Sequence, residues 1–171
     1  MDLSNKDLYG SELIGANLTG ANLSNTLLND AKLDKANLTG ANLSGSSLLG
    51  IGLNEAILTN ANLTNAKLTN AQMSEVNLSG ANLTRANLED AIAKKANFTK
   101  AIAKQANFKN AFLSSSNLDG ADFSDAVLRN VRLSQATLTQ TKFIDADLFR
   151  ARMPDDTVYN GTIPAKFGAI Q

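Results

Sequence analysis

An apolar side chain recurs at every fifth residue of this chain, without a slip of frame, from Leu3 to Ile163. The frame holds 33 positions, of which 23 are Leu and four are Phe (Phe98, Phe108, Phe123 and Phe143). Met73, Met153, Ala93, Ala103, Val158 and Ile163 complete it. Two residues before each lies a second column, filled by Ala at 21 of the 33 places. The run Ala16-Asn17-Leu18-Thr19-Gly20-Ala21-Asn22-Leu23-Ser24-Asn25 shows the unit. Self-similarity at a fixed short period marks a repeat architecture, in which each unit buries its apolar face only against its neighbours.

The period constrains the backbone. Five residues advance an α-helix by about 500°, roughly 140° net, so successive leucines scatter around the cylinder and leave no apolar face. A continuous flat strand fails as well, because side chains alternate and an odd period sends successive leucines to opposite faces. Each pentad must therefore turn a corner. Within it, the Ala and the Leu two residues later share one side of a short extended segment. Gly or Asn at the fifth place, as in Gly20, Gly40, Gly80, Asn60 and Asn110, suits a turn that needs positive φ.

The written-out A-(N/D)-L-x-x motif resembles the pentapeptide-repeat family over about residues 11–155. That resemblance implies an all-β fold, a right-handed quadrilateral parallel β-helix with four pentads per coil. On this chain it implies about eight coils and a rod about 40 Å tall. Its parts are then an irregular first coil or N-terminal cap over 1–10, a repeat β-helix over 11–153 and a capping tail over 154–171. With four sides, Ala93, Phe98, Ala103 and Phe108 fill one coil. The two Phe face each other and so do the two Ala, which conserves core volume.

The ends break the pattern. Met1, Lys6 and Ser11 stand where Ala is expected, and Lys6 cannot be buried unpaired. This edge is expected to be frayed or capping, or to pair weakly with a second molecule. Beyond Pro154 the motif decays: Asp156 and Gly161 fall in the small column, Pro154 and Pro164 interrupt the ladder, and Tyr159, Ile163, Phe167 and Ile170 are expected to plug the last coil.

Function must then lie outside. The residue before each core position is most often Asn or Asp, but Ile92, Ile102 and Phe112 are apolar exceptions. Ile92 and Phe112, twenty apart, stack on one side, either as scattered surface apolars or as the centre of a partner site. Lys94, Lys95, Lys100, Lys104 and Lys109 fall within one coil that contains no acid. They form either a solvated girdle or a docking band for an acidic partner or for phosphate. Further on, Asp119, Asp122, Asp125, Asp145 and Asp147 alternate with Arg129, Arg132, Arg150 and Arg152 and are expected to pair locally.

Composition narrows the chemistry. The chain has 171 residues with 16 basic and 16 acidic side chains, so no field favours nucleic acid. It has no Cys and no His, which removes disulfides, thiolate zinc sites and the commonest general base. No phosphate loop, nucleophile elbow or H-E-x-x-H appears, so neither catalytic residue, cofactor nor metal is expected. Nor is a membrane-spanning run or a secretory signal present, and the chain reads as a cytoplasmic protein. The expectation is a non-enzymatic scaffold or protein-interaction module, a monomer or a weak dimer through its N-terminal edge. The resemblance also implies two alternatives: a domain of a larger protein, or a DNA-mimicking regulator of DNA gyrase. Members of that regulatory branch are acidic, whereas this chain is neutral.

Overall fold

The structure, a computed structural model, describes residues 1–163 and 165–170. From Asp2↔Asn22 to Arg132↔Arg152, every backbone bridge is parallel and joins residues twenty apart. Four pentads therefore close one coil, and each coil stacks on the next. Each side contributes a single bridging residue, and a two-residue turn follows it. Inter-coil bonding is dense: Leu23 donates to the Asn42 carbonyl (2.7 Å), Asn25 to Ser44 (2.9 Å) and Asn42 to Ala21 (2.9 Å). The four sides are named here by their first bridging residues, Asp2, Asp7, Glu12 and Asn17.

The corner is a β-turn. The Leu18 carbonyl accepts the Ala21 N–H at 3.0 Å, and Gly20 between them has φ +62°. Positive φ two residues after the acceptor is the type II signature. The same conformation holds at Lys35 (φ 60°), Glu55 (59°), Arg85 (59°) and Gln105 (58°), where the side chain disfavours it. Bonding to the coils above and below imposes the corner, whatever residue occupies it.

Where Asn precedes the core residue, it has a local cause. Asn62 Oδ1 accepts the Thr64 N–H (3.1 Å) and the Thr64 hydroxyl (2.6 Å), capping the turn. Asn42 donates to Asn22 (3.4 Å) and Asn62 to Asn42 (3.2 Å), so the amides also ladder between coils.

The core is the stacked Ala and Leu columns. Leu83, Ala93, Phe98, Ala103 and Phe108 are fully buried. Phe98 and Phe108 meet edge to face at 6.0 Å, and Phe123, one coil above Ala103, lies 5.2 Å from Phe108. Four hydroxyls in the Ala column find carbonyls: Thr26 donates to Leu3 (3.0 Å), Ser46 to Leu43 (2.6 Å), Ser116 to Ala93 (2.8 Å) and Thr141 to Leu118 (2.8 Å), whereas the Ser11 hydroxyl is left without a partner among the described residues.

Residues 1–10 are not irregular. Their bridges and turns repeat those of later coils, because the ladder needs only the coil above. Burial is what differs: Leu3, Leu8 and Leu13 are half-buried, and Lys6 is exposed.

At the other end the chain reverses, with Val158 bridging antiparallel to Arg152 and Asp156 at φ 65°. This throws Val158 out of the apolar frame, to 58% exposure, and leaves Asp156 and Gly161 exposed. Ile163 is buried, and Tyr159 and Phe167 are half-buried against the core, Phe167 in a 3-10 turn over Ala165–Phe167. Ile170 is exposed and does not plug. Its backbone extends the ladder instead, donating to Thr141 and accepting from Phe143. Pro164 lies outside the described residues.

Candidate functional site

A packed interior leaves the outer side chains to do any work. A hollow of about 200 Å³ lies in the cap, lined by Met153, Asp155, Thr157, Tyr159 and Asn160 among others. Its carboxylate is already engaged: Lys166, together with the Thr157 hydroxyl, holds Asp155 down to about 2. Among the described residues, no group of acidic side chains is arranged to hold a metal, and no helix is long and apolar enough to cross a membrane.

Ile92 and Phe112 stack as the sequence implies, bridged on the Glu12 side. Both are half-buried. Phe112 is also covered by cations: the Lys94 ammonium lies 5.8 Å from its ring centroid and the Arg132 guanidinium 4.5 Å. Ile102 stands on the Asp2 side, between Asn82 and Asp122, at 41% exposure.

The lysine coil is not an unopposed band. Lys95 reaches Glu75 (3.2 Å), Lys109 reaches Glu89 (2.9 Å) and Lys104 reaches Asp122 (3.3 Å), each on a neighbouring coil. The hydrogen bond and charge of Glu89 raise the Lys109 pKa. Burial pushes the Asp122 carboxyl up, but the Ser124 hydroxyl, its N–H and Lys104 outweigh that and hold it below its ordinary value. Lys94 and Lys100 make no ion pair among the described residues, and Lys94 sits on Phe112 instead.

Of the five aspartates expected to pair with these arginines, only Asp147 does so among the described residues. Arg129 binds Asp147, and Arg152 lies 3.9 Å from Asp156. Arg132 covers Phe112, and Arg150 stacks 5.2 Å from Phe149, which Arg129 also covers at 5.7 Å. The sequence carried one signal for this corner: four of the five arginines lie between 129 and 152. By contrast, from Asn17 to Thr84 the Asn17 and Asp2 sides present only amides, hydroxyls, glycine and Ile57.

Pentads that each turn one corner, pair parallel at twenty residues and bury an Ala–Leu core define a quadrilateral β-solenoid. The pentapeptide-repeat pattern matches in eight copies, over residues 11–50, 52–85, 81–120 and 116–153. The chain belongs to the pentapeptide-repeat family, whose fold is the right-handed quadrilateral β-helix.

Similar solved structures include a trypsin-treated form of QnrB1, a plasmid-mediated fluoroquinolone resistance protein. It is 22% identical over 99% of this chain and 76% of its own, with a TM-score of 0.50. HetL, involved in heterocyst differentiation regulation in the cyanobacterium Nostoc, is 28% identical over 93% of this chain and 90% of its own, with a TM-score of 0.33. No curated protein matches.

Proposed function

We propose that this protein is a non-enzymatic rigid scaffold of about eight coils that binds a protein partner through its outer side chains, in a cytoplasmic setting. The observation that carries this reading is the complete commitment of the interior to packing, with Leu83, Phe98 and Phe108 fully buried. Catalysis usually needs a concave site that excludes water, and the closed solenoid supplies outward columns instead. Family membership supports the same reading.

The contact surface proposed first is the Ile92–Phe112 column, flanked by Lys94 and Lys95, with Lys100, Lys104 and Lys109 completing the lysine coil. Lys95, Lys104 and Lys109 are neutralised by neighbours, so Ile92, Phe112 and Lys94 would carry most of the recognition.

The test is affinity capture from lysate of the source organism, with the parent and Ile92→Asp/Phe112→Asp as baits, both confirmed folded by circular dichroism. A protein retained by the parent and lost by the variant supports both the module and its site. The same protein on both baits keeps the module and moves the site. Nothing retained by either overturns the reading.

A further inference from the structure

We propose that the corner formed by Arg129, Arg132, Arg150 and Arg152 around Phe112 and Phe149 docks an acidic segment of a protein partner, reading its carboxylates. This rests on the interaction-module reading above and adds the partner's chemistry.

The corner is built, not scattered. Phe112, Arg132 and Arg152 form one bridged column on the Glu12 side. Beside it, Arg129 and Phe149 occupy equivalent places one coil apart at the corner with the Asp7 side, where the Asn130 N–H donates to the Phe149 carbonyl. Each of the two rings carries two cations: Lys94 and Arg132 on Phe112, Arg129 and Arg150 on Phe149. Phe149 is 55% exposed, so its ring is held at the surface by guanidinium groups and not by the core.

Arginine, unlike lysine, is suited to this arrangement. The chain spends four of its five arginines here, although lysines outnumber arginines elsewhere. A guanidinium is weakly hydrated, so lying over an aromatic ring costs it little. Its N–H edge stays available for a two-pronged bond to a carboxylate or phosphate.

Carboxylate is favoured over phosphate by the acids that stand in the corner itself. The two arginines with ionic partners are paired with carboxylates, Arg129 with Asp147 and Arg152 with Asp156. Arg132 and Arg150 have no ionic partner among the described residues. Those two carboxylates also flank the corner and would repel a continuous phosphate backbone, whereas acidic side chains spaced by neutral residues can pass between them. Cations already lie over both rings, so no clear platform remains for stacking bases.

The test is fluorescence anisotropy at low ionic strength with a labelled peptide of alternating Glu and Gly, where surface electrostatics are least screened. Its competitors are the same peptide with Gln for Glu, and an oligothymidylate of equal charge. The variants are Arg132→Gln/Arg150→Gln, Arg132→Lys/Arg150→Lys and, for the same charge loss away from the corner, Lys67→Gln/Lys142→Gln. Circular dichroism melts confirm that each is folded.

The expected results are binding of the Glu peptide, a loss of about tenfold in the Gln pair, a smaller loss in the Lys pair, and a change within about twofold in the Lys67/Lys142 control. The proposal is overturned if the parent fails to bind the Glu peptide. It is equally overturned if the Gln peptide binds as well, if the control loses as much as the arginine pair, or if oligothymidylate displaces the peptide more strongly. A partner captured equally by the parent and the Arg132→Gln/Arg150→Gln protein would sink the arginine site alone and leave the interaction module standing.

Discussion

Phe98 and Phe108 face each other across a single coil, ring centroids 6.0 Å apart and planes inclined at 74°. The sides between them carry Ala93 and Ala103, both fully buried. Two large and two small residues thus fill one coil, and the edge-to-face contact adds to burial. Phe98→Ala should therefore cost about 3–5 kcal/mol in urea unfolding, because no neighbouring side chain can fill the void without leaving its own column. A cost under about 1 kcal/mol would show that the coil collapses freely.

Leu83 lies mid-rod with no exposed surface, whereas Leu3 is half-buried on the lowest coil. A lysine at 83 has no route to water for its charge; at 3 it can snorkel. Leu83→Lys should abolish cooperative thermal unfolding followed by circular dichroism, while Leu3→Lys keeps it with a lowered midpoint. Equal melting of the two proteins would contradict the assigned interior.

Much of this was legible in the sequence because a five-residue apolar period admits one solution, a corner in every pentad. The opposition of Phe98 and Phe108 follows from the period once each coil is given four pentads, a number that the family resemblance supplies. So do the Lys95–Glu75 and Lys109–Glu89 pairs, which join residues twenty apart, although the lysines read as an acid-free group within their own coil. The stacking of Arg132 on Phe112 was not legible, since it depends on which way a long side chain leans. Nor was the exit of Val158 from the frame, because the chain reverses after Pro154 in a local antiparallel hairpin with Arg152 that the five-residue frame does not encode. Turn chemistry misled in one respect: Gly and Asn mark many corners, yet Lys35 and Glu55 make the same turn with φ near +60°.

Those disfavoured corners are points where stability can be gained. Gln140 has φ 56°, and its N–H is held by the Gly168 carbonyl at 2.7 Å. Gln140→Gly relieves left-handed strain of about 1–2 kcal/mol while loosening the unfolded chain by somewhat less, so a net gain of a few tenths to about 1 kcal/mol is expected. The reverse change, Gly20→Val, should cost at least about 1 kcal/mol at φ +62°, although no atom lies within 4 Å of the added Cβ. Chemical denaturation of both variants tests the pair; a stabilised Gly20→Val would refute the turn assignment.

The capping tail should respond to acid. Lys166, the Thr157 hydroxyl and the Thr157 N–H hold the Asp155 carboxyl at about 2, below its ordinary 3.8. A depressed carboxyl contributes stability above its unfolded value and loses it as pH falls through the folded one. The tether should therefore weaken between about pH 4 and pH 2. Tyr159 is half-buried in the cap and Tyr9 is 66% exposed, so their ring resonances separate release of the tail from global unfolding. A Tyr159 shift in that window, missing from Asp155→Asn, is the expected result; an identical profile in the variant would exclude the tether.

The twenty-residue closure also sets what insertions can do. A single added residue throws the inward columns out of frame, but five residues added at a corner preserve the frame and rotate everything downstream by a quarter turn. The arginine corner would then face a different side of the rod, with its own stacking intact. Twenty added residues leave its heading unchanged and lift it by about 4.8 Å. Heading and height are thus separately adjustable in such a chain, which makes the rod a ruler as well as a support.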